Sequence, residues 1–96
     1  MSAEVNQGEL ITHWLAGGRK GAATSLKSDG DALLSYGWYP IAQKRSREVW
    51  LRRRKYSTAT GKQIGKVRTI LEASGYAYLR EDVDDEGERW LVFRRR

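Results

Sequence analysis

One stretch of this chain has a sustained helical period. Ile64, Val67, Ile70, Leu71 and Ser74 line one face at 3.6-residue spacing. Ser57-Thr58-Ala59-Thr60 supplies helix-starting residues ahead of it, and Gly75 stands where helices end in the left-handed conformation. The spacing predicts a helix over residues 59–74. Its other face carries Lys62, Gly65, Lys66, Thr69 and Ala73, with Arg68 on the flank. Most of the remaining chain reads as short strands between turn residues, so this helix has a sheet to pack on. The element order α–β–β–β–α–β–β implies an α+β fold. We expect an antiparallel sheet of four to five strands, one long helix packed on it and a short N-terminal helix.

The short helix is signalled by Asn6-Gln7-Gly8-Glu9, the form of a capping box. Leu10, Ile11, Trp14 and Leu15 then make one apolar stripe, which Gly17-Gly18 ends. A helix of two or three turns is marginal alone, so it must dock its Trp14 side. Asp29-Gly30 is a hairpin-turn dipeptide, with Asp31–Tyr36 as the return strand. Trp38–Gln43 is the next strand; Pro40 lacks an N–H, so that strand lies at an edge or carries a bulge. Residues 23–57 thus read as a meander of three or four strands. Tyr76–Glu81 and Arg89–Arg94 form two more, joined by the acidic turn Asp82–Glu88.

Ninety-six residues suit one domain, residues 1–96, with 1–22 as short helix and basic glycine loop and 23–96 as sheet plus helix. There is no cysteine, hence no disulfide and no thiolate metal site. No apolar run approaches the roughly 18 residues of a membrane span, and the N-terminus lacks a signal-peptide layout. We expect no membrane association and a cytoplasmic location, the host-cell cytoplasm if the protein is viral.

The net charge is +6, but the basic residues are concentrated. Lys44–Arg68 holds ten basic side chains and one acidic, Glu48, whereas the flanks are near neutral or slightly acidic. Such a segment points to a polyanion; the alternatives are a solvated arginine surface and an acidic protein partner. Within it, Glu48–Ser57 read as a strand places Trp50, Arg52, Arg54 and Tyr56 on one face. Two rings flanking two guanidiniums suit base stacking and phosphate pairing. Val49, Leu51, Arg53 and Lys55 fall on the other face, so the strand is expected to leave the core midway and project as a hairpin arm. With Lys62, Lys66 and Arg68 it would form a basic surface of strand plus helix start.

Other chemistry finds little support. Gly17-Gly18-Arg19-Lys20-Gly21 lacks the spacing of a phosphate-binding loop, and so does Gly61-Lys62. Asp82, Asp84, Glu86 and Gly87 begin like a calcium loop, but its twelfth position is Phe93. His13 is the only histidine, and no serine sits in a nucleophile elbow. No enzyme activity, metal or cofactor is expected. Trp14, Trp38 and Trp90 are expected in the core or in half-buried packing. Trp50 is the exception, either a stacking residue or a ring covered by an arginine stem.

Leu34-Ser35-Tyr36-Gly37 followed by Ile41-Ala42, and Lys55-Tyr56-Ser57-x-x-Thr60-x-Lys62, resemble a set of small phage- and prophage-encoded proteins with SYG…IA and KYS-x-TT-x-x-H motifs. The likeness covers residues 15–71. This chain has Ala59 for the first threonine of the pair and Gln63 for the histidine. The resemblance implies a viral setting rather than an activity.

The leading expectation is a small phage-type nucleic-acid-binding protein using Arg52, Arg54, Lys62, Lys66 and Arg68 on phosphates and Trp50 and Tyr56 on bases. About five phosphate contacts imply a log K versus log salt slope of roughly −4 to −5. The alternative is a host-interaction protein that inhibits a bacterial defence complex or host enzyme by protein–protein binding. A third reading is a homo-oligomer in which basic strip meets acidic turn.

Overall fold

A computed structural model describes residues 6–17, 21–23, 25–54 and 57–96. Its elements are α1 (Gln7–Leu15), β1 (Gly21–Ala23), β2 (Leu26–Ser28), β3 (Ala32–Ser35), β4 (Tyr39–Arg45), β5 (Glu48–Arg52), α2 (Thr58–Ala73), β6 (Tyr76–Val83) and β7 (Arg89–Arg95). The α+β expectation holds, with seven strands rather than four to five. All neighbours are antiparallel, in the order β1-β2-β3-β4-β5-β7-β6. The miscount arose upstream of Asp29: Gly21–Ala23 pairs with Leu26–Ser28 as a hairpin of its own, where the sequence suggested a loop and a single strand. Three-residue strands are too short to show a period of two.

Both helices cover one face of the sheet. Leu10, Ile11 and Trp14 from α1 and Val67 and Leu71 from α2 meet Leu26, Leu33, Ile41, Val49, Leu51 and Phe93 in one buried cluster. Burying each aliphatic side chain stabilises by about 1.5–3 kcal/mol, enough to hold a nine-residue helix that is marginal alone. Both helix starts follow their sequence signals. Asn6 Oδ1 accepts from the Glu9 N–H at 2.8 Å, and Asn6 Nδ2 donates to Glu9 Oε1 at 2.8 Å. Ser57 Oγ accepts from the Thr60 N–H at 3.2 Å. Lys44 Nζ donates to the Trp14 carbonyl and lies 4.9 Å from the Trp14 ring, tying the end of α1 to β4. Burial lowers the Lys44 pKa, against the raising effect of Asp31.

Pro40 does not put β4 at an edge; β4 lies between β3 and β5, with a bulge against β3. The register passes from Leu33↔Ala42 to Leu34↔Pro40, so Ile41 is the extra residue and the ladder is interrupted where Pro40 has no N–H to give. The Ser35-Tyr36-Gly37 motif also gains a physical meaning. Tyr36 and Gly37 take positive φ (54° and 79°) and turn β3 into β4. Ser35 is buried, donates to Gln63 Oε1 at 2.5 Å and lies 3.2 Å from Thr60 Oγ1. Gln63 Nε2 in turn donates to the Ser25 carbonyl at 2.9 Å. Gln63 is therefore a buried amide joining α2 to the end of β3 and to the turn between β1 and β2.

Candidate nucleic-acid interface

Over its described residues the central basic strand does not project. β5 ends at Arg52, and Arg53 and Arg54 form a bend. Both of its faces are buried: Val49 and Leu51 beneath the helices, Trp50 with Trp90 and Val92 in a second cluster on the face without helices. The expected arm was inferred from an alternation that runs only as far as the sheet offers β5 a partner, at Arg52↔Trp90.

Trp50 and Arg52 are used up in this second cluster. Trp50 is 7% exposed, with the Arg45 guanidinium 4.2 Å above its ring and Trp90 6.5 Å away. Its indole N–H donates to Glu48 Oε1 at 3.3 Å. This is the covered ring, not an open stacking platform. The Arg52 guanidinium lies between the rings of Tyr39 (4.5 Å) and Trp90 (4.7 Å), donates from Nε to the Pro40 carbonyl at 2.6 Å and pairs with Glu88 at 3.1 Å. An arginine with its faces stacked and its donors engaged pins three strands together.

The other expected contact residues are scattered. Lys62 and Lys66 lie on the exposed side of α2, across the sheet from Trp50, and Lys66 Nζ donates to Gln7 Oε1 at 3.1 Å. Arg68 pairs with Glu72 at 3.5 Å and lies 5.6 Å from the Phe93 ring. Tyr56 lies outside the described residues. Arg54 is the expected residue that remains open to solvent near the strand, 79% exposed and 3.9 Å from Glu88. The six described residues do not make one surface, because the helix and the strand present them on opposite sides of the sheet.

The structure assembles a different group at the end of the sheet where β5 stops. Arg53, Arg54 and Arg89 surround an open cleft of about 520 Å³, with Gly87 and Glu88 completing its lining. Arg53 and Arg89 pair with Glu81 at 3.6 and 2.9 Å, and Glu88 takes Arg52 and Arg54. Four guanidiniums thus share two carboxylates, leaving an excess of positive charge. The Tyr39 hydroxyl donates to the Arg54 carbonyl at 2.9 Å, and the Trp38 ring meets the Tyr39 ring edge-on at 5.5 Å. Trp38 is 57% exposed and Tyr36 half exposed. Trp38 was expected in the core or half-buried; it lies in the β3–β4 turn and belongs to neither buried cluster. The preceding Gly37 and the following Pro40 were the available signal. Arg53 and Arg89 were missed because they belong to separate strand segments that only the β5–β7 pairing unites, through Arg53 N–H to Arg89 C=O at 3.2 Å.

The acidic turn is not a loose run of charge. Asp84 Oδ1 accepts from the N–H groups of Glu86 (2.9 Å) and Glu88 (3.0 Å), and Oδ2 from the Trp90 indole (2.9 Å). The indole bond is the main cause holding the Asp84 carboxyl below its ordinary range. Arg80 bridges Glu48 and Asp82. Its hydrogen bond lowers the Glu48 pKa, with help from the Trp50 indole, while the Val83 N–H and then Arg80 lower that of Asp82. Among the described residues no group of three His, Asp or Glu is placed to hold a metal, and no helix is long and apolar enough to cross a membrane. Comparison with protein-family models, curated proteins and solved structures finds no match.

Proposed function

We propose that this chain is a small phage-type nucleic-acid-binding protein whose contact surface is the arginine-lined end of the sheet. Arg53, Arg54 and Arg89 would contact phosphates, and Trp38, with Tyr36 beside it, would stack on bases. The observation that carries this reading is the exposed Trp38 ring linked through Tyr39 to the exposed Arg54. Unpaired bases can reach such a ring, whereas bases in a duplex cannot, so single strands are the expected ligand. The viral setting rests on the SYG…IA and KYS resemblance.

The test is a fluorescence-anisotropy titration of single-stranded DNA, RNA and duplex across a salt series. Three phosphate contacts predict a log K versus log salt slope of roughly −2 on single strands and −3 on duplex. Absence of salt-sensitive binding to all three would sink the reading. Its rival is a host-interaction protein that inhibits a defence complex or host enzyme. Glu81 and Glu88 among the arginines favour it, since a mixed-charge surface suits a protein partner. A partner held on the immobilised chain after nuclease treatment of a bacterial lysate, with no nucleic-acid binding, would establish that rival.

A further inference from the structure

Strand β6 ends the sheet order, so among the described residues its outer edge has no strand beside it. It is eight residues long and bears Tyr78, Leu79 and Val83, three of the five large apolar side chains exposed among the described residues. An edge strand with exposed apolar side chains is a template for another strand; here those side chains flank a charged centre, Arg80, Glu81 and Asp82, and the Val83 N–H is held by Asp82 Oδ1 at 2.8 Å. Its pairing with β7 shifts register between Tyr78 and Arg80, making Leu79 a bulge residue, and the turn begins at Asp84. Between these limits lies the short segment 79–83, with Glu81 at its middle.

We propose that a second copy of this chain pairs antiparallel along β6 over residues 79–83, with Glu81 on the two-fold axis. Opposed residues in an antiparallel pair share a face, so the axis of a symmetric pair must pass through a residue and not between two. Centred on Glu81, Arg80 stands opposite the partner's Asp82 and Leu79 opposite the partner's Val83, each twice by symmetry. Centred one residue earlier, the two Arg80 side chains oppose each other and Asp82 meets Tyr78. Centred on Leu79, the pair runs back through the bulge. The Glu81 register matches opposite charges and apolar side chains together, and the like-charged Glu81 pair is flanked by Arg53 and Arg89 at 3.6 and 2.9 Å in each copy. Because those arginines belong to the cleft described above, the axis brings two clefts together into one basic surface. The dimer itself does not depend on the nucleic-acid reading.

The chain has no cysteine, so single cysteines report the register directly. Opposed residues of an antiparallel pair lie about 4.5–5.5 Å apart at Cα, within disulfide reach. Sedimentation from micromolar to millimolar protein should show a monomer–dimer equilibrium, and Glu81→Cys should form a linked dimer on oxidation much faster than Thr69→Cys on the exposed face of α2. Leu79→Lys and Val83→Lys, both at exposed positions, should keep the folded circular-dichroism spectrum and shift the equilibrium to monomer. A monomer at every concentration, or a dimer that both lysine variants leave intact, or equal cross-linking of the two cysteine variants, would overturn the proposal.

Discussion

The indole N–H of Trp90 donates to Asp84 Oδ2 at 2.9 Å, joining a buried ring of the helix-free face to the turn between β6 and β7. The same carboxylate accepts two backbone N–H groups, so one side chain both closes the turn and anchors the tryptophan cluster. An acidic run that looks like solvated charge therefore contains a structural carboxylate.

Stability should fall on acidification. Asp84, Asp82 and Glu48 all have folded pKa values below their ordinary 3.8, 3.8 and 4.5. Their contribution is complete above those ordinary values and is lost as pH drops through the lower folded ones. Thermal melts from neutral pH downward should show Tm declining from about pH 4.5, less steeply at high salt and less steeply in Asp84→Asn. A Tm independent of pH below 4 would contradict the assigned bonds.

Trp14 and Trp90 are both almost fully buried, but the Trp14 indole N–H has no hydrogen-bond partner. Replacing either by alanine should cost about 3–5 kcal/mol in denaturant unfolding. Phenylalanine should separate them. Trp14→Phe removes a donor that bonds nothing, whereas Trp90→Phe also forfeits the bond to Asp84, so Trp90→Phe should be the more destabilising.

Ser35→Ala should lower stability by about 1–3 kcal/mol, because it strips Gln63 Oε1 of its donor in a buried site. Ala32→Ser, in the same strand but outside the network, is the control. Equal unfolding midpoints for the two variants would count against the network.

If the sheet end binds single strands, Trp38→Ala should weaken binding about 5- to 150-fold, the range of one lost base stack. Its melting temperature should stay close to the parent's, since the ring is mostly exposed.

Arg54→Gln and Arg89→Gln should each reduce the magnitude of the salt slope by about 1. Arg52→Gln should behave differently, costing about 1.5–3 kcal/mol of folding stability through its stacked and paired guanidinium. A pure binding defect in Arg52→Gln would return that residue to the contact surface.

Much of the fold was legible along the chain. Asn6 and Ser57 cap the helices their sequence context marks, Asp29 accepts from the N–H groups of Asp31 and Ala32 in the expected turn, and Gly75 closes α2 with a φ of 89°. These signals are local, each needing only a few residues to be satisfied. The contact surface was less legible. Arg52 and Arg54 look alike as neighbours in a basic run, yet one is clamped between rings and the other stands in water. Trp38 and Trp90 are equally apolar, and only Trp90 falls where strands pair on both sides.

Local periodicity, capping residues and turn dipeptides determined the two helices, most strand positions and the α+β class, because hydrogen bonds and side-chain spacing act over a few residues. The insertion of β7 between β5 and β6 was decided only in three dimensions. It brings Trp90 of β7, Glu88 of the turn before it and Glu81 of β6 to the arginines of β5 and the bend after it, burying Arg52 and gathering Arg53 and Arg89 into one cleft. Which charges are neutralised depends on partners about 30 residues away, and no pattern within the basic run carries that information.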